Sequence, residues 1–231
     1  MVELKPSLRV LSPTLSELFW EQAATDQLLG IKIHLISEIK QTFSSKIEEI
    51  RSGYQTLTIR WADPTFHSEI IPFLDDLELV SQPLPDRTWE IPVCYDSEFG
   101  YDLNALAKAK SLAVNEVIRY HSQASYRIHF IGFLPGFPYL SGMNPILAMP
   151  RKSQPDRAIP AGSVAIGGNQ TGIYPQRSPG GWHIIGRTPI PLFDPNSSPP
   201  VAFQLGDQLV FRPIDKSEFD RIRKFKPQLL R

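Results

Sequence analysis

Between Gln55 and Trp61 the chain alternates without a break, with Leu57, Ile59 and Trp61 on one side and Thr56, Thr58 and Arg60 on the other. A period of two marks a half-buried β-strand, and this is the clearest strand in the sequence. A shorter strand is predicted at Leu8–Leu11. Between the two, Leu28, Leu35, Ile36, Ile39 and Phe43 recur at helical spacing and predict a helix with one core face. Asp63 and Pro64 end the alternating strand, because proline gives no donor to a ladder and restricts the residue before it. A helix from Phe73 to Leu79 is predicted next, opened by Pro72, whose missing N–H is harmless in a first turn. Together these elements make a small α+β domain. The polar, proline-containing stretch Ser81–Asp86 reads as a linker, which gives domains 1–84 and 85–231.

The second part opens on the strand WEIPVCY, which Pro92 assigns to a sheet edge. Two short helices follow, the first marked by Leu103, Leu106 and Ala107, the second by Val114, Val117, Ile118 and His121. The i, i+3, i+4, i+7 spacing places His121 on the apolar face, as a buried or capping histidine. Tyr126–Ile131 alternates again, and beyond it glycine and proline recur every few residues among short apolar runs. Near the end Gly206-Asp207 signals a turn into a strand on which Leu209 and Phe211 share a face. This pattern predicts a mainly-β domain, a compact barrel with elaborate loops.

Charge narrows the partners: 24 Lys plus Arg balance 24 Asp plus Glu, so no long-range field draws the chain to nucleic acid or an anionic membrane. The start, MVELKPSLRVLSP, lacks a signal-peptide apolar core, and no apolar run approaches about 18 residues. Cys94 is the only cysteine, which precludes an internal disulfide or a Cys-rich zinc site and fits the cytoplasm. His34, His67, His121, His129 and His183 show no paired helical spacing with a carboxylate, so no metal is expected.

The candidate chemistry lies in four loop-like segments: GFLPGFPYLSG (132–142), IPAGSVAIGGNQTGIYP (159–175), SPGGWHIIGRTP (178–189) and LFDP (192–195). Glycine and proline fix unusual backbone angles, so such loops either hold donors in one geometry for a developing oxyanion or serve as tight barrel turns. GGNQTG lacks the Lys-Ser/Thr ending of a P-loop, and no serine sits in a Gly-x-Ser-x-Gly elbow. What remains is a set of neutral donors and cations, Arg157, Gln170, Tyr174, His183 and Arg187, suited to a carboxylate, amide or phosphate. Gln170 and Tyr174, four apart on one strand, face one way; satisfying a turn is their alternative role. For Arg187 the alternative is a surface salt bridge. Phe133, Phe137, Tyr139 and Trp182 are expected to be exposed, facing a partner or a substrate.

In this order the four segments resemble the hallmark segments of the family that holds the 5-oxoprolinase B subunit, KipI and allophanate hydrolase subunit 1. IPVCYDSEFGYDL and the helix ending at His121 extend the resemblance over most of the chain. It implies a cyclophilin-like β-barrel after the small α+β domain, without prolyl isomerase activity. It also implies a homologous larger partner, the 5-oxoprolinase C subunit or allophanate hydrolase subunit 2. Fused, that pair resembles the carboxyltransferase domain of biotin-dependent urea carboxylase. The implied activity is ATP-dependent opening of the 5-oxo-L-proline lactam to L-glutamate together with subunits A and C, with ATP bound by or with the partner subunits. Gln170, Tyr174 and Arg187 then take catalytic roles, and Arg157, Gly136, Phe137, Gly168 and His183 bind substrate. The family pattern reads Pro-Arg directly before Val-Pro-Ala-Gly; here Pro155-Asp156-Arg157-Ala158-Ile159-Pro160 departs from it at Arg157. Two other functions stay open: a KipI-type inhibitor of a sensor histidine kinase, or a subunit of a urea- or allophanate-metabolising enzyme.

Overall fold

The computed structural model describes residues 4–222 and 228–229. Its first elements are β1 (Ser7–Ser12), β2 (Leu15–Phe19), α1 (Asp26–Thr42), β3 (Ile47–Ser52), β4 (Thr56–Trp61) and α2 (Ile70–Asp76). The four strands form one antiparallel sheet in the order β1-β2-β4-β3. Thr25 starts α1 by accepting the Leu28 N–H on its side chain, 3.2 Å away. Leu28, Leu35 and Ile39 then share a core with Leu57, Ile59 and Trp61, the face that the alternation of β4 points inward.

The second helix starts earlier than its sequence suggests. Asp63 accepts the Thr65 N–H and caps a 3-10 turn, Pro64–Glu69, that runs directly into α2. Pro72 is therefore the third residue of α2, inside its first turn and not ahead of the helix. The chain leaves the helix at Leu77, which is extended, so residues 77–79 are not helical.

Lys32 sits on the buried side of α1 with its ammonium bonded to Ser52 Oγ at 3.2 Å, Tyr54 O at 3.1 Å and Gly53 O. Burial disfavours the charge and pulls its pKa down to about 8. A lysine with a lowered folded-state pKa binds fewer protons than the unfolded chain between that value and about 10.4. Stability relative to a Lys32→Met variant should therefore rise with pH from about 8 to 10.4 and stay flat below. Urea unfolding of both proteins across pH 7–10.5 reads this; a difference that falls over the upper range contradicts it.

The chain divides into two compact units, 1–84 and 85–231. The second contains β5 (Thr88–Cys94), α3 (Leu103–Ala109), α4 (Val114–Ser122), β6 (Ser125–Ile131), β7 (Pro138–Ser141), β8 (Asp156–Ile159), β9 (Ser163–Gly167), β10 (Gln170–Ile173), β11 (Ser178–Gly180), β12 (His183–Arg187), β13 (Gln208–Ile214), α5 (Lys216–Ile222) and β14 (Gln228–Leu229). The sheet order is β12-β9-β10-β7-β6-β13-β5, and pairing of Arg187 on β12 with Cys94 on β5 closes these strands into a barrel. β14 adds to β5 at Trp89 and Glu90, and β8 and β11 form a separate two-stranded ribbon.

Inward-facing residues Ile91, Tyr126, Ile128, Leu140, Val164, Ile166 and Phe211 join residues of α3 and α4 in one core. β5 is not an edge strand, as Pro92 suggested: β13 runs parallel along its length on one side. On the other side pairing is interrupted between Glu90 and Cys94, which is where a residue without an N–H can sit. His121 enters the core from α4. Its Nδ1 meets Tyr95 Oη at 2.8 Å and its Nε2 meets Thr171 Oγ1 at 3.0 Å. The Thr171 hydroxyl donates to Ala165 O, so it accepts the Nε2 proton, and Nδ1 accepts from Tyr95. Burial pulls the His121 pKa down to about 3, so this ring is a neutral structural link.

Candidate functional site

The register of β9, β10 and β12 assigns the hallmark segments to the two faces of the barrel wall. Val164 and Ile166 point into the core. Ala165, with its neighbours Gly172 on β10 and Ile184 on β12, points the other way. On this outer face Phe137, Tyr174, Trp182, Ile159, Ala165 and Ile184 form their own apolar cluster. Phe137 is its centre, with ring centroids 5.1 Å from Tyr174, 5.6 Å from Trp182 and 4.8 Å from Tyr139. The contacts with Tyr174 and Trp182 are edge-on, which suits the quadrupoles of the rings.

Glycines make the cluster possible by leaving the strands bare where rings must lie. A Cβ on Gly167 would come within 2.6 Å of the Trp182 indole, one on Gly172 within 2.8 Å of the Phe137 ring, and one on Gly180 within 2.3 Å of Tyr174 Oη. The expectation that Phe137 and Trp182 are exposed is therefore overturned: they are 1% and 4% exposed. Phe133 does stand out, 60% exposed and with φ of 67°. Gly167→Ala should displace the indole and cost about 1–3 kcal/mol. Urea unfolding with tryptophan emission tests this; an unchanged midpoint and spectrum would contradict it.

The candidate residues divide around this cluster. Gln170, opposite Gly167, shares the outer face at one end of β9. Arg187, opposite Ser163, shares it at the other end. Four residues of strand separate them, about 13 Å, so the structure does not bring Gln170 and Arg187 together. Arg187 donates from Nε to Ala161 O at 2.8 Å and lines a cleft of about 540 Å³ with Thr188, Phe219 and Lys216. Tyr174 is 2% exposed, and burial pushes its pKa up to about 12. It builds the wall of the site and stays protonated. His183 donates from Nε2 to Pro150 O at 2.8 Å, which ties β12 to the preceding loop. Arg157 is exposed on β8. Gly136, with φ of 84°, lets the 132–142 loop lie against Leu192 and Phe193. Gly168, with φ of 66°, supplies the positive φ that a two-residue hairpin turn between β9 and β10 favours. No helix follows that turn, so GGNQTG lacks the strand-to-helix geometry of a phosphate cradle.

A polar group beside the cluster has no signature in the sequence. Lys152 Nζ lies 2.6 Å from Asp102 Oδ2 and 2.8 Å from Asp156 Oδ2, and its backbone N–H donates to Gly181 O at 2.7 Å. Burial works against the Lys152 charge, but its bonds to the two carboxylates outweigh burial and raise its pKa. Tyr101 donates to Asp156 at 3.0 Å, and Asp102 accepts the Ile184 N–H at 2.7 Å. Arg151 lies over Trp182, 5.8 Å from the ring centroid. This group pins the start of β12 and the β8–β11 ribbon to α3. Only the proximity of Lys152 and Asp156, four apart in a proline-rich loop, could have suggested it. Among the described residues no three His, Cys, Asp or Glu side chains gather as a metal-ligand set.

The family model for the carboxyltransferase domain, subdomain C and D, matches residues 11–203. The chain belongs to this family. Within the carboxyltransferase domain family, the B subunit of 5-oxoprolinase from Bacillus subtilis (strain 168) is 49% identical over 133 residues, 58% of this chain and 55% of that protein. The B subunit of 5-oxoprolinase from Haemophilus influenzae (strain ATCC 51907 / DSM 11121 / KW20 / Rd) is 41% identical over 167 residues, 71% of this chain and 78% of that one. The match thus spans little more than half of the Bacillus protein. The crystal structure of Kluyveromyces lactis urea carboxylase shares the fold, with a TM-score of 0.81 at 18% identity over 99% of this chain and 24% of that one. No described helix is long and apolar enough to cross a membrane.

Proposed function

We propose that this chain is the B subunit of an ATP-dependent 5-oxoprolinase, acting with subunits A and C to hydrolyse 5-oxo-L-proline to L-glutamate. One observation carries the proposal: three of the four hallmark segments converge on one outer face of the barrel, in a chain 41% identical over 167 residues to a 5-oxoprolinase B subunit. The barrel is taken as cyclophilin-like and the first unit as its small α+β companion. A cytoplasmic location follows from the use of ATP.

Lactam opening is slow because resonance makes the amide a poor electrophile; donors held where negative charge develops lower that barrier. Gln170, beside the Trp182 end of the cluster, is placed to donate to the lactam oxygen. Arg187 presents a guanidinium at the other end, for carboxylate or phosphoryl oxygens. Their separation gives them different oxygens to hold. Tyr174 and Phe137 keep the wall rigid and dry, and Arg157, His183, Gly136 and Gly168 border it. The glycine-rich turn does not form a self-contained nucleotide site, so ATP is taken to be bound by or with the partner subunits. Co-purification from cells expressing all subunits, with the tag on this chain, tests the assembly. Subunits A and C are expected in the eluate; recovery of the chain alone contradicts the proposal.

A further inference from the structure

Ser178 stands at the start of β11 and is 8% exposed, yet its Oγ has no hydrogen-bond partner. A buried hydroxyl left unpaired costs about 1–3 kcal/mol, and such groups are rare in folded proteins. Its surroundings fix where it points. Ser178 lies directly opposite Ile159 on β8, so the two side chains share a face of the ribbon. Ile159 is part of the Phe137–Tyr174–Trp182 cluster. Two residues on, Gly180 leaves room for the Tyr174 phenol on that side. The ribbon is held in place, because Asp156, opposite Gly180, is bonded to both Lys152 and Tyr101.

We propose that Ser178 is a further substrate-binding residue of this site, its hydroxyl donating to an amide or carboxylate oxygen of a small molecule seated against the cluster. This rests on reading the site as that of a 5-oxoprolinase. 5-Oxo-L-proline offers such acceptors in its lactam carbonyl and its carboxylate.

The test pairs stability with kinetics. Ser178→Ala removes a group with no internal partner, so thermal unfolding of the full chain should be unchanged or slightly raised. In the complex with subunits A and C, KM for 5-oxo-L-proline should rise about five- to tenfold with kcat little changed, the signature of lost uniform binding. Ser178→Cys, close in volume but a weak donor, should shift KM the same way. A fall in melting temperature beyond about 4 °C would show that the hydroxyl is structural and overturn the assignment. Wild-type KM in both variants would overturn it while leaving the proposed function standing. An inactive wild-type complex would remove the functional reading, and this ligand with it.

Discussion

Replacing Arg187 by alanine is expected to lower 5-oxo-L-proline turnover by the proposed complex with subunits A and C about 100-fold, with the complex still assembling. The size follows from where the group sits. β12 is bonded to β9 and β5, so the Arg187 backbone is fixed, and its Nε bond to Ala161 O sets the direction of the guanidinium. A donor held in this way gives its energy to developing charge without reorganising first. Arg187→Lys keeps the charge and loses the planar fork, so it restores only part of the rate. The side chain is half-exposed and outside the apolar clusters, so unfolding in urea should move by about 1 kcal/mol or less. Near-normal turnover in the alanine variant would remove Arg187 from the chemistry.

Phe137→Ala is expected to cost about 3–5 kcal/mol, a large part of the roughly 5–15 kcal/mol typical of a domain. The ring is 1% exposed, touches Tyr139, Tyr174 and Trp182, and lies over the bare backbone of Gly172. The neighbouring rings also pack on one another, Tyr139 lying 5.7 Å from Trp182, so they resist collapse into the space. Phe137→Leu refills much of the volume and should recover more than half of the loss. Urea unfolding of the full chain measures both. A loss below about 1 kcal/mol for the alanine variant would show that the cluster adds little to the barrel wall.

Local periodicity made β4, α1, α4 and the inward pair Leu209 and Phe211 legible in the sequence, because each reports a period within a few residues. It also put His121 on the apolar face of α4, as a buried or capping residue, and the structure buries it. Proline was less informative. Pro72 and Pro92 each remove one donor, and whether that ends an element depends on whether a partner was waiting for that donor. At Pro92 the ladder was already interrupted, and Pro72 sits inside the first turn of α2 without ending it.

The site was legible as a set of segments and not as an arrangement. That Gln170 and Arg187 occupy opposite ends of β9 follows from register between strands far apart in sequence. The burial of Phe137 and Trp182 depends on Gly172 and Gly167 across the sheet, contacts that no single segment contains. Lys152, Asp102 and Asp156 lie outside any periodic pattern, so only the folded chain joins them.

The most direct measurement is ATP-dependent formation of L-glutamate from 5-oxo-L-proline by subunits A and C, with this chain present and with it omitted. Glutamate and phosphate released only in the complete mixture are the predicted result. An intact, stably assembled complex that forms no glutamate would contradict the assignment and shift the function toward kinase regulation or urea-related chemistry.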